Sequence, residues 1–292
     1  MRRSFKYSCY TVLVRPKNCG HPMGPLLTSK VHEVLRAAAG ATTTVQCSLD
    51  LERSSTSVVV EQDHWIWEGR RYPFLSACKE RTIYYWTGAQ FQPAARYTRA
   101  LIKLVPTDWG PPTFEIDGIK MLPTARISPL TDAERKVALI RPQGKAILDT
   151  CGGLGYFASC CLQAGAARLH SCEKNPDVIW LRGLNPWTPP ADPRLTLENA
   201  DVTQVIAGLA SRSCDAVLHD PPRFGIAGEL YSQAFYDQLA RVLKPRGMLF
   251  HYTGTPNRLT SGRDVPNEVA NRLRIAGFTT ELKGDGVLAT RR

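Results

Sequence analysis

The sequence predicts an α/β protein in which a doubly wound, mostly parallel sheet follows a smaller β-rich N-terminal domain. Up to residue 127, the apolar segments are short, rich in β-branched and aromatic residues, and separated by glycine and proline turns. From residue 128 onwards, strand-like and helix-like segments alternate at the spacing of βαβ units. We therefore expect two domains, at residues 1–127 and 128–292.

The first domain is predicted to contain short strands and one helix. Lys30–Ala39 is the only segment there with convincing helical character. The predicted strands are Thr11–Arg15, Ser57–Glu61, Trp65–Trp67, Thr82–Trp86 and Thr113–Ile116. Turn residues such as Glu68-Gly69 and Asp117-Gly118 follow these segments, which is typical of a β-rich fold.

The second domain is predicted to alternate strands with helices. The predicted strands are Lys145–Thr150, Arg168–Glu173, Arg194–Asn199, Asp215–Asp220, Met248–Thr253 and a short Gly286–Thr290. The predicted helices are Asp132–Ile140, Tyr156–Ala164, Pro176–Leu184, Val202–Ala210, Gln233–Leu243 and Val265–Ala276. Thr131 or Asp132 can cap the first of these helices. In sheets of this kind, ligands bind at the carboxyl ends of the strands, beside the topological switch point.

The composition is that of a globular protein without a membrane span. Hydrophobic residues make up 43% and charged residues 22% of 292 residues, which excludes disordered, collagen-like and coiled-coil chains. No apolar run approaches the ~20 residues that cross a bilayer. The net charge of +11 is compatible with nucleic acid or acidic partners, and equally with a basic surface that aids solubility.

The nine cysteines indicate reduced thiols and hence a cytoplasmic protein. They are scattered, include no CxxC pair, and two of them, Cys160 and Cys161, are adjacent, so we expect neither a disulfide framework nor a metal site. The first 32 residues contain basic side chains but no acid, which resembles an organelle transit peptide. The predicted strand Thr11–Arg15 and three prolines in this segment argue against that reading.

A glycine-rich turn closes the first strand of the second domain, in the sequence Asp149-Thr-Cys151-Gly-Gly153-Leu-Gly155. Glycines at this place let a ligand approach the backbone and let a helix start tightly. No Lys-Ser/Thr follows them, which excludes a P-loop, and a carboxylate at the strand end repels a pyrophosphate. The turn therefore favours a ligand with an ammonium group and no phosphate, such as S-adenosylmethionine (SAM).

Acidic residues follow the next two strands at positions that suit the rest of an adenosyl ligand. Glu173 ends the second strand, where a carboxylate can bind both ribose hydroxyls. Asp201 follows the third strand, where its side chain can meet the adenine amino group. Two alternatives stay open: Glu173 as a solvated acid beside Lys174, and Asp201 as the N-cap of the following helix.

The most informative segment is His219-Asp220-Pro221-Pro222-Arg223-Phe224 at the end of the fourth strand. Two prolines cannot continue a central strand, so the chain must leave the sheet there and present Asp220 over the cleft. A carboxylate in this place can accept a hydrogen bond from an attacking amine and direct its lone pair. Arg223 can bind an anionic group of the substrate or form a surface ion pair.

These four motifs, in this order, resemble the class I SAM-dependent methyltransferases over residues 128 to 292. The resemblance implies a Rossmann-like sheet in which Asp149, Gly153 and Gly155 bind the amino acid end of SAM. It also implies that Glu173 holds the ribose, Asp201 the adenine, and Asp220 with its two prolines the acceptor. Cys151 departs from the family, which usually has glycine there, and this leaves the path of the loop open.

Two closer resemblances imply different reactions. Asn175-Pro176, Asn185-Pro186-Trp187 and the segment from His219 to Phe224 resemble predicted methyltransferases best represented in archaea. Glu173 before Asn175-Pro176, and Leu230-Tyr231-Ser232 before Phe235-Tyr236, are similar to spermidine synthases, which transfer an aminopropyl group from decarboxylated SAM. That family places a second acid three positions after the one that matches Asp220, where this chain has Arg223.

The sequence therefore predicts a SAM-dependent methyltransferase that acts on a nitrogen of an RNA base or of a small amine-containing metabolite. The alternative is a polyamine aminopropyltransferase that uses decarboxylated SAM. A binding module without catalysis on the same fold also stays open, since a fold does not determine a function.

Overall fold

The computed structural model of the protein describes residues 24–254 and 264–292. The predicted strand Thr11–Arg15 lies outside these residues. The N-terminal half consists of one helix and eleven short strands within the described residues. In chain order they are β1 Leu26–Leu27, α1 Ser29–Ala37, β2 Thr43–Cys47, β3 Thr56–Val60, β4 His64–Trp67, β5 Arg70–Pro73, β6 Tyr84–Trp86, β7 Phe91–Pro93, β8 Ala95–Tyr97, β9 Leu101–Val105, β10 Thr113–Ile116 and β11 Ile119–Lys120.

The C-terminal half alternates strands and helices, as the sequence predicts. Its elements are α2 Pro129–Ile140, β12 Ala146–Asp149, α3 Tyr156–Gln163, β13 Arg168–Cys172, α4 Pro176–Leu184, β14 Leu195–Glu198, α5 Val202–Gly208, β15 Cys214–His219, α6 Gln233–Val242, β16 Leu243–Tyr252, α7 Val265–Ile275, β17 Phe278–Lys283 and β18 Gly286–Arg291. A 3₁₀ turn, Gly228–Tyr231, precedes α6. None of the helices in the two described ranges combines the length and apolar character that crossing a membrane demands.

Seven strands of this half form one sheet, in the order β14-β13-β12-β15-β16-β18-β17. The first five strands in that order are parallel, and β18 pairs antiparallel with both β16 and β17. The chain runs outward from β12 to β14 and then crosses back to β15, which makes the β12–β15 edge the topological switch point. This is a Rossmann-like α/β fold of the class I methyltransferase type.

The N-terminal strands form three small antiparallel sheets, in the orders β1-β6-β7, β2-β3-β4-β5 and β11-β10-β9-β8. The third of these sheets packs against the large sheet, because apolar side chains of both halves share one core. Ile102 and Phe114 of the N-terminal half join Val137, Phe157 and Leu181 of the C-terminal half in this core.

Polar contacts also cross between the halves. Tyr156 donates a hydrogen bond to the carbonyl of Pro112 at 2.7 Å, and Trp187 Nε1 donates to the carbonyl of Leu51 at 3.0 Å. The buried Asp177 accepts a hydrogen bond from Thr98 Oγ1 at 2.7 Å. Buried polar groups are satisfied across the boundary, so these contacts stabilise the position of the N-terminal strands over the sheet.

The first helix of the C-terminal half begins earlier than the sequence predicts. Its N-cap is Ser128, whose Oγ accepts from the amides of Leu130 and Thr131, and not Thr131 or Asp132. Pro129 follows at the first helical position, where its missing N–H is not needed. The prediction of a start at Asp132 was therefore wrong by one turn. Asp132 lies inside the first turn, one turn before Lys136.

The glycine-rich turn between β12 and α3 rests on a buried polar network. Arg182 of α4 is buried and donates to Ser171 Oγ at 3.3 Å, and Ser171 Oγ donates to Asp149 Oδ2 at 2.8 Å. A Cβ placed on Gly155 would lie 2.7 Å from Arg182 Nε. Gly155 also has φ +86°, in the left-handed region that favours glycine. Close packing under the turn therefore requires glycine here.

We expect Gly155→Ala to lower the free energy of unfolding more than Gly144→Ala does. Both residues have positive φ, +86° and +68°, so each substitution brings left-handed strain of about 1–2 kcal/mol. Only the Cβ at residue 155 meets Arg182, while a Cβ at residue 144 has no atom within 4 Å. Overpacking adds about 1–3 kcal/mol at Gly155. Urea denaturation of both variants checks this, and equal losses would contradict it.

Candidate functional site

A cavity of about 1220 Å³ lies at the carboxyl ends of the parallel strands, at the switch point. Its floor comes from the loops after β12, β13 and β15, and its roof from the segment between β8 and α2. Sequence reasoning assigned no functional role to any residue of that roof. The apolar side chains of the roof are Ile102, Phe114, Ile116, Ile119, Met121 and Leu122.

Glu173 lies in the cavity wall and is held by two backbone amides. Gly153 N donates to Oε2 at 2.9 Å and Asn175 N donates to Oε1 at 2.8 Å. Burial raises the pKa of Glu173, and these amide hydrogen bonds oppose that shift. The carboxylate therefore has a defined orientation, and each of its oxygens can still accept a hydrogen bond from one hydroxyl of a diol in the cavity. The alternative of a merely solvated acid does not describe this environment.

Of the four residues predicted as ligand-binding in the glycine-rich turn, two line the cavity and two do not. Cys151 and Gly153 line the cavity, and burial raises the pKa of the Cys151 thiol well above its ordinary value. Asp149 and Gly155 are absent from the cavity wall. Asp149 is 0% exposed because its side chain turns to Ser171 on β13, and burial raises its pKa to about 6. Direct contacts of these two residues with a ligand stay predictions.

Asp201 also lies outside the cavity wall and caps α5. Its Oδ1 accepts from Thr203 N at 2.9 Å and from Thr203 Oγ1 at 2.7 Å, while Lys174 Nζ lies 2.7 Å from Oδ2. Burial acts to raise the pKa of Asp201, but the hydrogen bonds from Lys174 and Thr203 lower it. The helix-cap alternative therefore describes the observed geometry, and the contact with adenine stays a prediction.

Asp220, Pro221, Pro222 and Arg223 all lie in the wall of the same cavity. The chain leaves the sheet after His219, so the prolines aim the partly buried Asp220 carboxylate over the strand ends. The carbonyl of Pro222 accepts a hydrogen bond from Tyr231 at 3.1 Å, which helps to hold this turn. Burial raises the pKa of Asp220, and Lys136 opposes the shift.

Two functional candidates around Asp220, Lys136 and Asp285, were missed by sequence reasoning, and Tyr252 lies beside them. Lys136 Nζ lies 3.3 Å from Asp220 Oδ2, Tyr252 places its ring 3.8 Å from the same ammonium, and Asp285 lines the cavity. Lys136 and Asp132 are an i, i+4 pair, a spacing that usually marks an exposed helix face. Asp285 lies in the β17–β18 turn, where its carbonyl accepts from the amides of Thr253 and Gly254.

The histidines near the strand ends are part of the core. His219 and His251 are both 0% exposed, and neither lines the cavity. His219 contacts Thr150 Oγ1 at 2.7 Å and the carbonyl of Leu230 at 3.1 Å, and burial lowers its pKa to about 4. Both ring nitrogens have partners, so His219 stays neutral at physiological pH and acts as a packing residue.

Two guanidinium groups in the cavity wall have no acidic partner in the part of the chain that the structure describes. Arg99 and Arg223 are exposed and line the cavity from the roof and from the floor, respectively. Neither forms an ion pair with any residue in ranges 24–254 and 264–292. Lys174, which also lines the cavity, is bound to Asp201. The two arginines therefore give the cavity a capacity for anionic groups beside its carboxylates.

Outside the cavity, three potential metal ligands lie together on β13 and β14. His170, Cys172 and Glu198 place their ligand atoms within 4.8 Å of one another. His170 Nε2 and Glu198 Oε2 are 2.7 Å apart, which is the distance of a direct hydrogen bond. The expectation of a protein without a metal site stays a prediction.

Solved structures of related fold include aminopropyl and methyl transferases. The spermidine synthase of Thermotoga maritima is similar at a TM-score of 0.51 with 17% identity, over 71% of this chain and 78% of that one. A spermidine synthase in complex with the transition state analogue AdoDATO gives the same values. A SAM-dependent methyltransferase of Mesorhizobium loti is similar at a TM-score of 0.41 with 17% identity, over 56% and 100% of the two chains.

No protein-family model matches the chain. A relative is the uncharacterized protein MJ1233 of Methanocaldococcus jannaschii, with 40% identity over 201 residues. The match spans 68% of this chain and 69% of that protein, so it includes most of both. The protein therefore belongs to the same family as MJ1233 of Methanocaldococcus jannaschii.

Proposed function

We propose that the protein is a SAM-dependent methyltransferase that methylates a nitrogen atom of a small amine or of an RNA base. The observation that carries this proposal is a single cavity that contains both Glu173 and Asp220. Its volume of about 1220 Å³ exceeds the ~300–1,000 Å³ of a typical site for one small ligand. The cavity therefore has room for a donor at the Glu173 end and an acceptor at the Asp220 end.

Intact SAM is the donor that best fits the charges of the wall. Unlike decarboxylated SAM, it carries a carboxylate, which needs a cation or several N–H donors in the site. Arg99 and Arg223 offer two such cations without an acidic partner among the described residues. Glu173, oriented by two amides, suits the ribose hydroxyls at the other end of the same molecule.

In this reaction the protein contributes mainly by positioning the donor and the acceptor, and it forms no covalent bond with either. Bound SAM would supply an electrophilic methyl group, and the S–CH₃ bond breaks as the N–CH₃ bond forms. Asp220 accepts a hydrogen bond from the acceptor N–H, which orients the lone pair, and it can receive the proton that the nitrogen loses. Cys151 contributes no nucleophile, because burial keeps its thiol protonated.

Aminopropyl transfer from decarboxylated SAM is the second candidate, and Asp285 favours it. This carboxylate lines the cavity together with Asp220 and comes from a different part of the chain. It supplies a second acid for a polyamine, although Arg223 occupies the sequence position where the spermidine synthase pattern has one. The two candidates differ in whether the donor retains its carboxylate, and that difference can be measured.

Calorimetric titration of the purified protein with each donor separates the candidates. We expect SAM to bind at least tenfold more tightly than decarboxylated SAM, about 1.4 kcal/mol, because its carboxylate has cationic partners. The reverse preference would make aminopropyl transfer the function. If neither donor binds, both candidates are wrong.

Glu173→Gln should weaken SAM binding by about 10–100-fold. The substituted amide can accept only one of the two backbone hydrogen bonds and loses the charge-assisted contact with the ribose, about 1.5–3 kcal/mol. Glu134→Gln is the matched control, since Glu134 is exposed on α2 and lies away from the cavity wall. Unchanged affinity in Glu173→Gln would refute the ribose contact.

Asp220→Asn should lower turnover by about 10²–10⁴-fold, since the amide cannot take a proton from the acceptor. The affinity for SAM should stay within threefold of the wild-type value, because Glu173 holds the donor. Asp237→Asn on the exposed face of α6 is the control. Single-turnover methyl transfer with radiolabelled SAM, with acceptors screened among small amines and RNA, measures the effect. Full turnover in Asp220→Asn would remove this residue from catalysis.

A further inference from the structure

Lys136 is a buried cation beside the end of the cavity that Asp220 and Asp285 line. Its side chain is 3% exposed, and its ammonium lies 2.8 Å from Asp132 Oδ2 and 3.3 Å from Asp220 Oδ2. The ring of Tyr252 covers the ammonium at 3.8 Å, and the ring of Phe157 lies 5.9 Å away. A buried ammonium is costly unless it is paired, and this one is paired on every side.

The titratable groups near Asp220 belong to several elements of the fold. Lys136 and Asp132 belong to α2, Asp285 to the β17–β18 turn, and the Tyr252 hydroxyl to the end of β16. The thiol of Cys151 stands on the glycine-rich turn. Burial alone would lower the pKa of Lys136, but Asp220 and Asp132 together raise it above its ordinary value, so the ammonium persists at any physiological pH.

We propose that Lys136 is the positioning residue of the reaction: its ammonium binds one oxygen of Asp220 and leaves the other oxygen, Oδ1, to the acceptor nitrogen. Oδ1 accepts no hydrogen bond from any residue in the two described ranges, whereas Oδ2 is bound to Lys136. The carboxylate plane is thereby held in one orientation. This inference rests on the proposed function, because it assigns Oδ1 to an acceptor.

The same contact determines the charge of Asp220. Burial and the nearby carboxylates of Asp132 and Asp285 raise the pKa of Asp220, whereas the Lys136 ammonium lowers it. Without the ammonium, the pKa of Asp220 would rise further, because burial and the two carboxylates would act unopposed, and Asp220 would become a weaker acceptor of the proton that the nitrogen loses at a given pH. If Lys136 served only to form a structural i, i+4 ion pair with Asp132 on α2, its removal would not change the pKa of Asp220.

Carboxyl ¹³C NMR of selectively labelled aspartate, with Asp220→Asn for assignment, tests the proposal without any acceptor. In Lys136→Met the titration midpoint of Asp220 should rise by about 1–3 pH units, a 10–1,000-fold change in its protonation equilibrium. In Asp132→Asn the midpoint should fall, because a negative neighbour is removed and Lys136 is retained. Arg135→Met, on the exposed face of the same helix, should leave the midpoint unchanged.

The opposite directions of the two shifts separate electrostatic positioning from packing. If Lys136→Met does not fold, Asp132→Asn still decides, since it retains the lysine. A midpoint that moves by less than 0.3 unit in the folded variants, roughly a twofold change in protonation, would overturn the proposal. A parallel shift in both variants would overturn it as well.

Turnover supplies a second readout. In Lys136→Met, kcat should fall at pH values below the new midpoint of Asp220 and recover towards the wild-type value as the pH rises above that midpoint. The affinity for SAM should stay unchanged, because the donor end of the cavity is separate, and Lys136→Arg should restore part of kcat. A loss of kcat that does not depend on pH would contradict the role. If the wild-type protein binds no SAM, the proposed function fails, while the NMR titration still tests the Lys136–Asp220 contact.

Discussion

The glycine-rich side of the cavity depends on one buried guanidinium group. Arg182 reaches from α4 to Ser171 on β13, and through Ser171 it is linked to Asp149 at the end of β12. The glycine-rich turn packs directly on this group, since a Cβ on Gly155 would collide with it. Packing in the protein's own interior therefore favours glycine at residue 155. The path of this turn also places the Gly153 amide within hydrogen-bond distance of the Glu173 carboxylate.

Two of the carboxylates that line the cavity, Glu173 and Asp220, are held by different means, which fit the two tasks proposed for them. Glu173 is oriented by backbone amides of Gly153 and Asn175, which are rigid and carry no net charge. Asp220 is oriented by the Lys136 ammonium, which also affects its proton equilibrium. A carboxylate that only accepts hydroxyl hydrogen bonds needs geometry, whereas one that exchanges a proton needs a matched pKa. The environments observed correspond to these two requirements.

The strand-end rule predicted that the candidate residues lie at one edge of the sheet, and Cys151, Gly153, Glu173 and the segment Asp220–Arg223 line one cavity there, while their contacts with a ligand stay predictions. Sequence reasoning did not predict the strands β1, β2, β5, β7, β8, β9, β11 and β17. Among them, β9 and β17 carry polar residues between apolar ones, and β17 is an edge strand. Such strands are stabilised by their partners, β10 and β18, and have weak local signals.

The sequence by itself determined most of the alternation of strands and helices in the C-terminal half, the exit of the chain from the sheet at Pro221-Pro222, and the position of the acids at the strand ends. These features follow from local periodicity and backbone restrictions. Only the tertiary structure decided which acids face the cavity. Asp149 is hydrogen-bonded to Ser171 and Asp201 is paired with Lys174, and neither acid lines the cavity. Helix α2 and the β17–β18 turn place Lys136 and Asp285 near Asp220. The direction of a side chain depends on partners that are distant in sequence, and no local pattern encodes them.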